Sequence, residues 1–159
     1  MIFSAELYAA AQRLLAAFDA RGLMLATAES CTGGLLGGLL TSVPGSSSVY
    51  LGGAVCYANS EKIRLGVAPY LIEQHGAVSA DVAEALALSV AKATGAAFGI
   101  GITGIAGPGG GSAEKPVGLV YSAVSGKPAQ RYIFSGTRDD VRMAAVAAAI
   151  KQLLDSIVV

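Results

Sequence analysis

Residues 79 to 104, "SADVAEALALSVAKATGAAFGIGITG", constrain the fold of this chain more than any other stretch. Ser79 stands where a helix cap belongs, Asp81 and Glu84 fall in the first turns, apolar residues recur at helical spacing, and Gly95 stops the pattern. A run of small and apolar residues follows directly, and it reads as a strand buried on both faces. A helix that feeds straight into a buried strand belongs to a sheet covered by helices.

The rest of the chain repeats the alternation. Residues 4 to 21 have helical spacing and Gly22 ends them; "LMLATAE" is then a short buried strand. The pattern places the start of the next helix at Ser30 or Cys31 and closes it at Pro44-Gly45. "SVYLGGAVCYA" alternates like a strand, and "NSEKIRLGV" reads as a helix capped by Asn59 or Ser60. A short helix is expected over 69 to 75, ending at His75-Gly76. "VGLVYSAVSG" and "AQRYIFSG" pair as a hairpin about Gly126-Lys127-Pro128, and a last helix runs from 138 to 157. The expected fold is α/β: a three-layer α/β/α sandwich with a mixed sheet and a C-terminal hairpin followed by a helix. With no repeat or linker to divide them, residues 1–159 form one domain, long enough for a single core.

Charge narrows the function classes. Charged residues make up 14% of the chain against 53% hydrophobic ones, and the formal net charge is zero. Such a surface has no field to steer a polyanion, so no nucleic-acid partner is expected. The first residues carry Glu6, Arg13 and Asp19 through an amphipathic pattern, unlike a signal peptide. No window approaches the roughly 20 apolar residues of a membrane span. A cytoplasmic protein without a membrane partner is expected. Cys31 and Cys56 show neither metal spacing nor a disulfide framework, so no metal site is expected. An apolar, low-charge surface is easily buried against a copy of itself, which points to a homodimer or higher homo-oligomer.

Polar residues gather at three places where strands should end, the positions at which α/β sheets build sites. The first is Glu29-Ser30-Cys31-Thr32-Gly33-Gly34. A hydroxyl there sits among free N–H groups that can hold an oxyanion once Ser30 attacks a carbonyl. Ser30 as a simple N-cap accounts for the same spacing, and Cys31 is a rival nucleophile, with His75 the only histidine to serve it. The second cluster is "CYANSEKIRLG", in which Lys62, held near neutrality by burial or by another cation, can act as a base for serine. A solvated Lys62 and a core Tyr57 are the ordinary alternatives. The third is "GITGIAGPGGGSAEKPVG", whose backbone amides can form a nest for a phosphate or carboxylate, although it matches neither the P-loop nor the dinucleotide fingerprint. Arg138 and Arg142 start the last helix, where a cation is unfavourable against the dipole; at least one should face an anion, unless Asp139 or Asp140 is its partner.

Taken together, "ATAESCTGGLLGGLLTSVPGSS", "GGAVCYANSEKIRLGV", "HGAVSADVAEALA", "GIGITGIAGPGGGSAEKPVG" and "FSGTRDDVR" resemble the CinA C-terminal domain family, the nicotinamide-nucleotide amidohydrolases. The resemblance implies an α/β/α fold that deamidates nicotinamide mononucleotide to nicotinic acid mononucleotide and ammonia, without metal or cofactor, in pyridine-nucleotide salvage. It places the family's serine on Ser30, its tyrosine on Tyr57, its lysine on Lys62 and the arginine of its last helix on Arg142. The substrate-binding residues it implies are Glu29, Cys31, Thr32 and Gly33 at the first turn, Thr103, Gly104, Ala106, Gly107, Gly109 and Gly110 in the glycine loop, and Arg142. Under it, Lys62 takes the Ser30 proton, directly or through the Tyr57 hydroxyl, and N–H groups near Cys31 and Thr32 hold the oxyanion. Many members carry a larger N-terminal domain, so this chain resembles the stand-alone form. Two other readings stay open: a non-catalytic nucleotide-binding or competence-related module, and an amidohydrolase acting on another carboxamide.

Overall fold

The computed structural model describes residues 2–158. Its elements run α1 (Ala5–Asp19), β1 (Leu25–Glu29), α2 (Leu35–Thr41), a 3₁₀ turn (Ser46–Ser48), β2 (Tyr50–Val55), α3 (Asn59–Leu65), α4 (Pro69–His75), α5 (Ala80–Thr94), β3 (Phe98–Gly104), β4 (Leu119–Val124), β5 (Gln130–Ile133) and α6 (Arg138–Ile157). The five strands form one sheet in the order β2-β1-β3-β4-β5. β1 is parallel to both β2 and β3, whereas β4 and β5 add as antiparallel neighbours. The sheet is therefore mixed, as the sequence predicts, and the C-terminal hairpin forms its second edge.

Alternation along the strands sorts the helices into two layers. Leu25, Ile100, Ile102, Val120 and Val124 face α1, α2 and α6, where they join Leu14, Phe18, Leu39, Val146 and Leu153 in the main core. Ala26 and Ala28 face the other way and pack with Val82, Leu86 and Val90 of α5. On that second face the strand positions are small because the helix backbone lies directly on the sheet. A Cβ added to Gly99 would collide with the Ala87 carbonyl oxygen, and one added to Gly101 with that of Ala83.

Ser79 caps α5 through the Val82 N–H at 3.3 Å, and Gly95 ends it in the left-handed region, both as the sequence indicates. Two other helix starts differ from expectation. α2 opens at Leu35 rather than at Ser30 or Cys31, because Gly33 and Gly34 take φ of +59° and +95° and keep residues 31–34 in turns. α3 has Ala58 at its cap position with no side-chain cap, so Asn59 is its first helical residue and its amide is left for other uses. At α6 a residue passed over in the sequence closes the start: Thr137 Oγ1 accepts from the Asp140 N–H at 3.2 Å, and Asp140 accepts from the Thr137 N–H at 2.8 Å.

Candidate active site

The three parallel strands β2, β1 and β3 end side by side, and each hands over to one of the polar clusters. Ser30 follows β1, Tyr57 and Lys62 follow β2, and the glycine loop follows β3. Their side chains and backbone enclose a cleft of about 270 Å³. Of the residues expected at the site, Ser30, Cys31, Tyr57, Lys62, Thr103, Gly104, Ala106, Gly107, Gly109 and Gly110 line it; Glu29, Thr32, Gly33 and Arg142 do not.

Ser30 is fixed by its backbone. Its N–H donates to the Ile102 carbonyl across the sheet at 3.0 Å, and its own carbonyl accepts from Gly33 at 3.0 Å. Its hydroxyl makes no hydrogen bond among the described residues and is not sealed from solvent, so it is neither a helix cap nor spent on the fold. Capping α2 falls instead to Glu29. Its buried carboxylate accepts from Leu36 N–H at 2.9 Å, Gly37 N–H at 3.0 Å and Thr32 Oγ at 2.6 Å. These three donors make a buried charge tolerable and tie the turn after β1 to the helix beyond it. Glu29 and Thr32 thus hold the turn from beneath, and Thr32, fully buried, offers the cleft no N–H.

Arg142 braces the same turn from α6, donating from Nε to the Cys31 carbonyl at 3.1 Å and from Nη2 to the Thr32 carbonyl at 3.2 Å. The arginine that enters the cleft is Arg138. Its Nη1 donates to the Gly107 carbonyl at 2.6 Å and its Nη2 to the Tyr57 hydroxyl at 3.1 Å. The sequence set the two arginines side by side, and the resemblance favoured Arg142; one turn of helix places them in different surroundings.

Lys62 is 2% exposed, although it lies on a short helix where a solvated lysine is the ordinary expectation. Its Nζ donates to the Tyr57 carbonyl at 3.0 Å, and no carboxylate pairs with it among the described residues. Burial pushes its pKa below the ordinary lysine value, which favours the neutral amine that a base requires. Tyr57 is tied to Lys62 through its carbonyl, while its ring stands largely exposed and its hydroxyl meets Arg138. A proton relay through the phenol therefore has no hydrogen bond to run along here.

Cys31 loses ground as a nucleophile. Burial pushes its thiol up to about 11, the reverse of an activated cysteine. His75 lies at the end of α4, with its Nδ1 3.4 Å from Asp81, and does not line the cleft. Thr103 lines the wall and donates from its hydroxyl to the Ala77 carbonyl at 2.8 Å, pinning the segment before α5. In the glycine loop the amides of Ala106, Gly107, Gly109 and Gly110 find no acceptor among the described residues. Arg138, which the sequence offers beside Arg142 as a residue to face an anion, lines the cleft together with Ala77, Val78 and Ile105, none of which the sequence singles out, and with Asn59, expected only as a cap; the spacing of Asn59 from Lys62 on one helix was the available signal. Among the described residues no three His, Cys, Asp or Glu side chains gather as a metal would require. A second hollow of about 680 Å³ lies over α1 and α2, lined by Phe3, Tyr8, Gly34, Leu35 and Gly38, but among the described residues it contains no pairing of nucleophile and base.

This architecture has close counterparts. The model of the CinA C-terminal domain matches residues 7–157. The chain is 48% identical over 155 residues to a CinA-like protein of Acidobacterium capsulatum, covering 94% of this chain and 37% of that one. With a CinA-like protein of Anaeromyxobacter sp. (strain K) it shares 51% identity over 144 residues, 88% of this chain and 35% of the other. It spans little more than a third of the length of these relatives. Among solved structures, the competence/damage inducible protein CihA from Agrobacterium tumefaciens superposes with a TM-score of 0.90 at 40% identity, covering 96% of both chains. A competence-damaged protein (CinA) superfamily protein from Escherichia coli does so with a TM-score of 0.91 at 31% identity, covering 98% of this chain and 94% of that one. The chain belongs to the CinA C-terminal domain family, and its fold is the α/β fold of the CinA superfamily.

Proposed function

We propose that this domain is a serine amidohydrolase that converts nicotinamide mononucleotide to nicotinic acid mononucleotide and ammonia. The observation that carries the reading is Lys62: a buried amine, without a carboxylate partner, in the same cleft as a serine hydroxyl that has no structural task. A fold gains nothing from burying an unpaired lysine, whereas a general base needs that environment.

The chemistry follows. Neutral Lys62 takes the Ser30 proton as Oγ attacks the carboxamide carbon, and the tetrahedral oxyanion is held at the turn after β1, where the N–H of Cys31 finds no acceptor among the described residues. Protonated Lys62 gives its proton to the amide nitrogen, the C–N bond breaks and ammonia leaves. Water, deprotonated by Lys62, then attacks the acyl carbon, and the Ser30 oxygen leaves and regains the proton. Glu29, Thr32 and Arg142 serve this sequence by keeping the turn in place. A cytoplasmic homo-oligomer is part of the proposal. It is supported by the low charge of the chain and by Leu51 and Val55, which stand exposed on the edge strand β2.

The test is ammonia release from nicotinamide mononucleotide by the purified protein, without added metal, together with a direct measurement of nucleotide binding. Ammonia formed one for one with nicotinic acid mononucleotide is the expected result. Saturable binding without ammonia would favour the binding-module reading, and turnover of other carboxamides alone would keep the mechanism and change the substrate.

A further inference from the structure

The strand β2 is an edge of the sheet, hydrogen-bonded along its length to β1 alone. Alternation fixes which of its backbone groups are left over. The Cys56 N–H donates inward to the Glu29 carbonyl at 2.8 Å, so Ala54 also turns its N–H and C=O toward β1, and those of Gly53 and Val55 face outward. None of these outward groups finds a partner among the described residues. The one register irregularity lies between Leu25 and Ala26, opposite the start of β2, and leaves Gly52 to Val55 evenly paired. Edge strands are ordinarily protected from further pairing by a lysine, a proline or a central bulge. β2, with the sequence YLGGAV, has neither a charge nor a proline. Leu51 and Val55 stand 45% and 53% exposed beside this open edge. The apolar strip continues past them: Val55 lies against Gly34, which lines the hollow over α1 and α2, and no charged residue lines that hollow among the described residues.

We propose that β2 is the interface between two copies of this chain: the strands pair antiparallel about a two-fold axis at Ala54 and join two five-stranded sheets into one. The register follows from the leftover groups. With Ala54 on the axis, Gly53 of each copy stands opposite Val55 of the other, so the outward N–H and C=O of one meet those of the other. Each Val55 then faces a residue without a side chain. Gly53 is held to that by its own sheet, because a Cβ there would fall on Thr27 Oγ1. Charge selects a second copy over a different partner. In a two-fold contact every charge near the axis meets its own equivalent, and this strip carries none, whereas a charged partner would find no counter-charge on it. The assignment deepens the homo-oligomer reading, on which it rests, and is independent of the amide chemistry.

The experiment is analytical ultracentrifugation of the purified chain, wild type against the double variant Leu51→Lys/Val55→Lys, with circular dichroism to show that the variant folds. Both positions are exposed, so folding should survive. Wild type should sediment at twice the mass of one chain, and the double variant at the mass of one, because the new charges crowd against their own equivalents at the axis. A wild type that stays monomeric across the concentration range contradicts both the interface and the homo-oligomer reading; a dimer that survives both lysines contradicts the interface alone. Ala54→Cys gives a second readout that needs no dissociation. A residue opposite itself in a non-hydrogen-bonded antiparallel pair has Cα atoms about 4.5 Å apart, within reach of a disulfide. Mild oxidation should link this variant into covalent dimers and leave wild type, whose Cys31 and Cys56 are buried, unlinked. Dimers of Ala54→Cys that stay unlinked contradict the proposed register. Ammonia release enters neither readout, so loss of this interface leaves the amidohydrolase reading in place.

Discussion

Lys62 is the residue on which the chemistry turns, and its environment makes two measurable demands. A base must be unprotonated to act, so kcat/KM should fall on acidification through an apparent pKa below the ordinary lysine value, because burial lowers it. If Cys31 were the nucleophile, activity would instead climb with alkalinity until the thiol ionises at about 11. The same burial costs stability. Between the lowered value and the ordinary one, the unfolded chain holds the proton and the folded chain does not, so stability rises with pH across that interval. Replacing the amine by an unbranched apolar side chain removes the penalty: Lys62→Met should raise Tm at neutral pH while abolishing turnover, and calorimetry beside an activity assay would detect both. The sequence displayed Ser30 and Lys62 as candidates through their places after strands. It left Lys62 undecided between base and solvated side chain, because burial is decided by packing of α3 against the rest of the fold.

At the scale of elements, two junctions hold the site in register. The turn after β1 is secured by Glu29 from below and Arg142 from α6, and the wall after β3 is secured by the close approach of α5 to Gly99 and Gly101. A Cβ at Gly101 would meet the Ala83 carbonyl, an obstacle with no rotamer to escape to, so α5 must move. Gly101→Ala should cost about 2 kcal/mol or more, read as a drop in the denaturation midpoint. Because β3 carries Thr103 and the glycine loop, activity should fall along with stability; a variant as stable as wild type would refute the packing argument. Helix α5 was legible in full because its cap, its stripe and its terminal glycine are all local. The start of α2 was not, because Glu29 caps it across six intervening residues from the end of a strand, a connection that no local spacing rule contains.

For the whole molecule, the alternation of strands and helices was enough to predict a mixed sheet between two helical layers, and with it a site at the carboxyl ends of the parallel strands. What alternation does not supply is strand order or the surroundings of each arginine on α6. The order β2-β1-β3 brings the three polar clusters together with Ser30 in the middle. Arg138, at the start of α6, reaches the cleft while Arg142, one turn on, meets the turn after β1, and a four-residue separation leaves that choice undetermined in the sequence. The central claim, that the Ser30 oxygen is the nucleophile in this cleft, is tested most directly by assaying ammonia release from nicotinamide mononucleotide in Ser30→Ala and Cys31→Ala, with nucleotide binding measured in each. Ser30→Ala should bind the nucleotide about as well as wild type and release no ammonia, while Cys31→Ala should keep most of its activity. Ammonia release by Ser30→Ala within a fewfold of wild type would contradict it, and a simultaneous collapse in Cys31→Ala would move the nucleophile to the thiol.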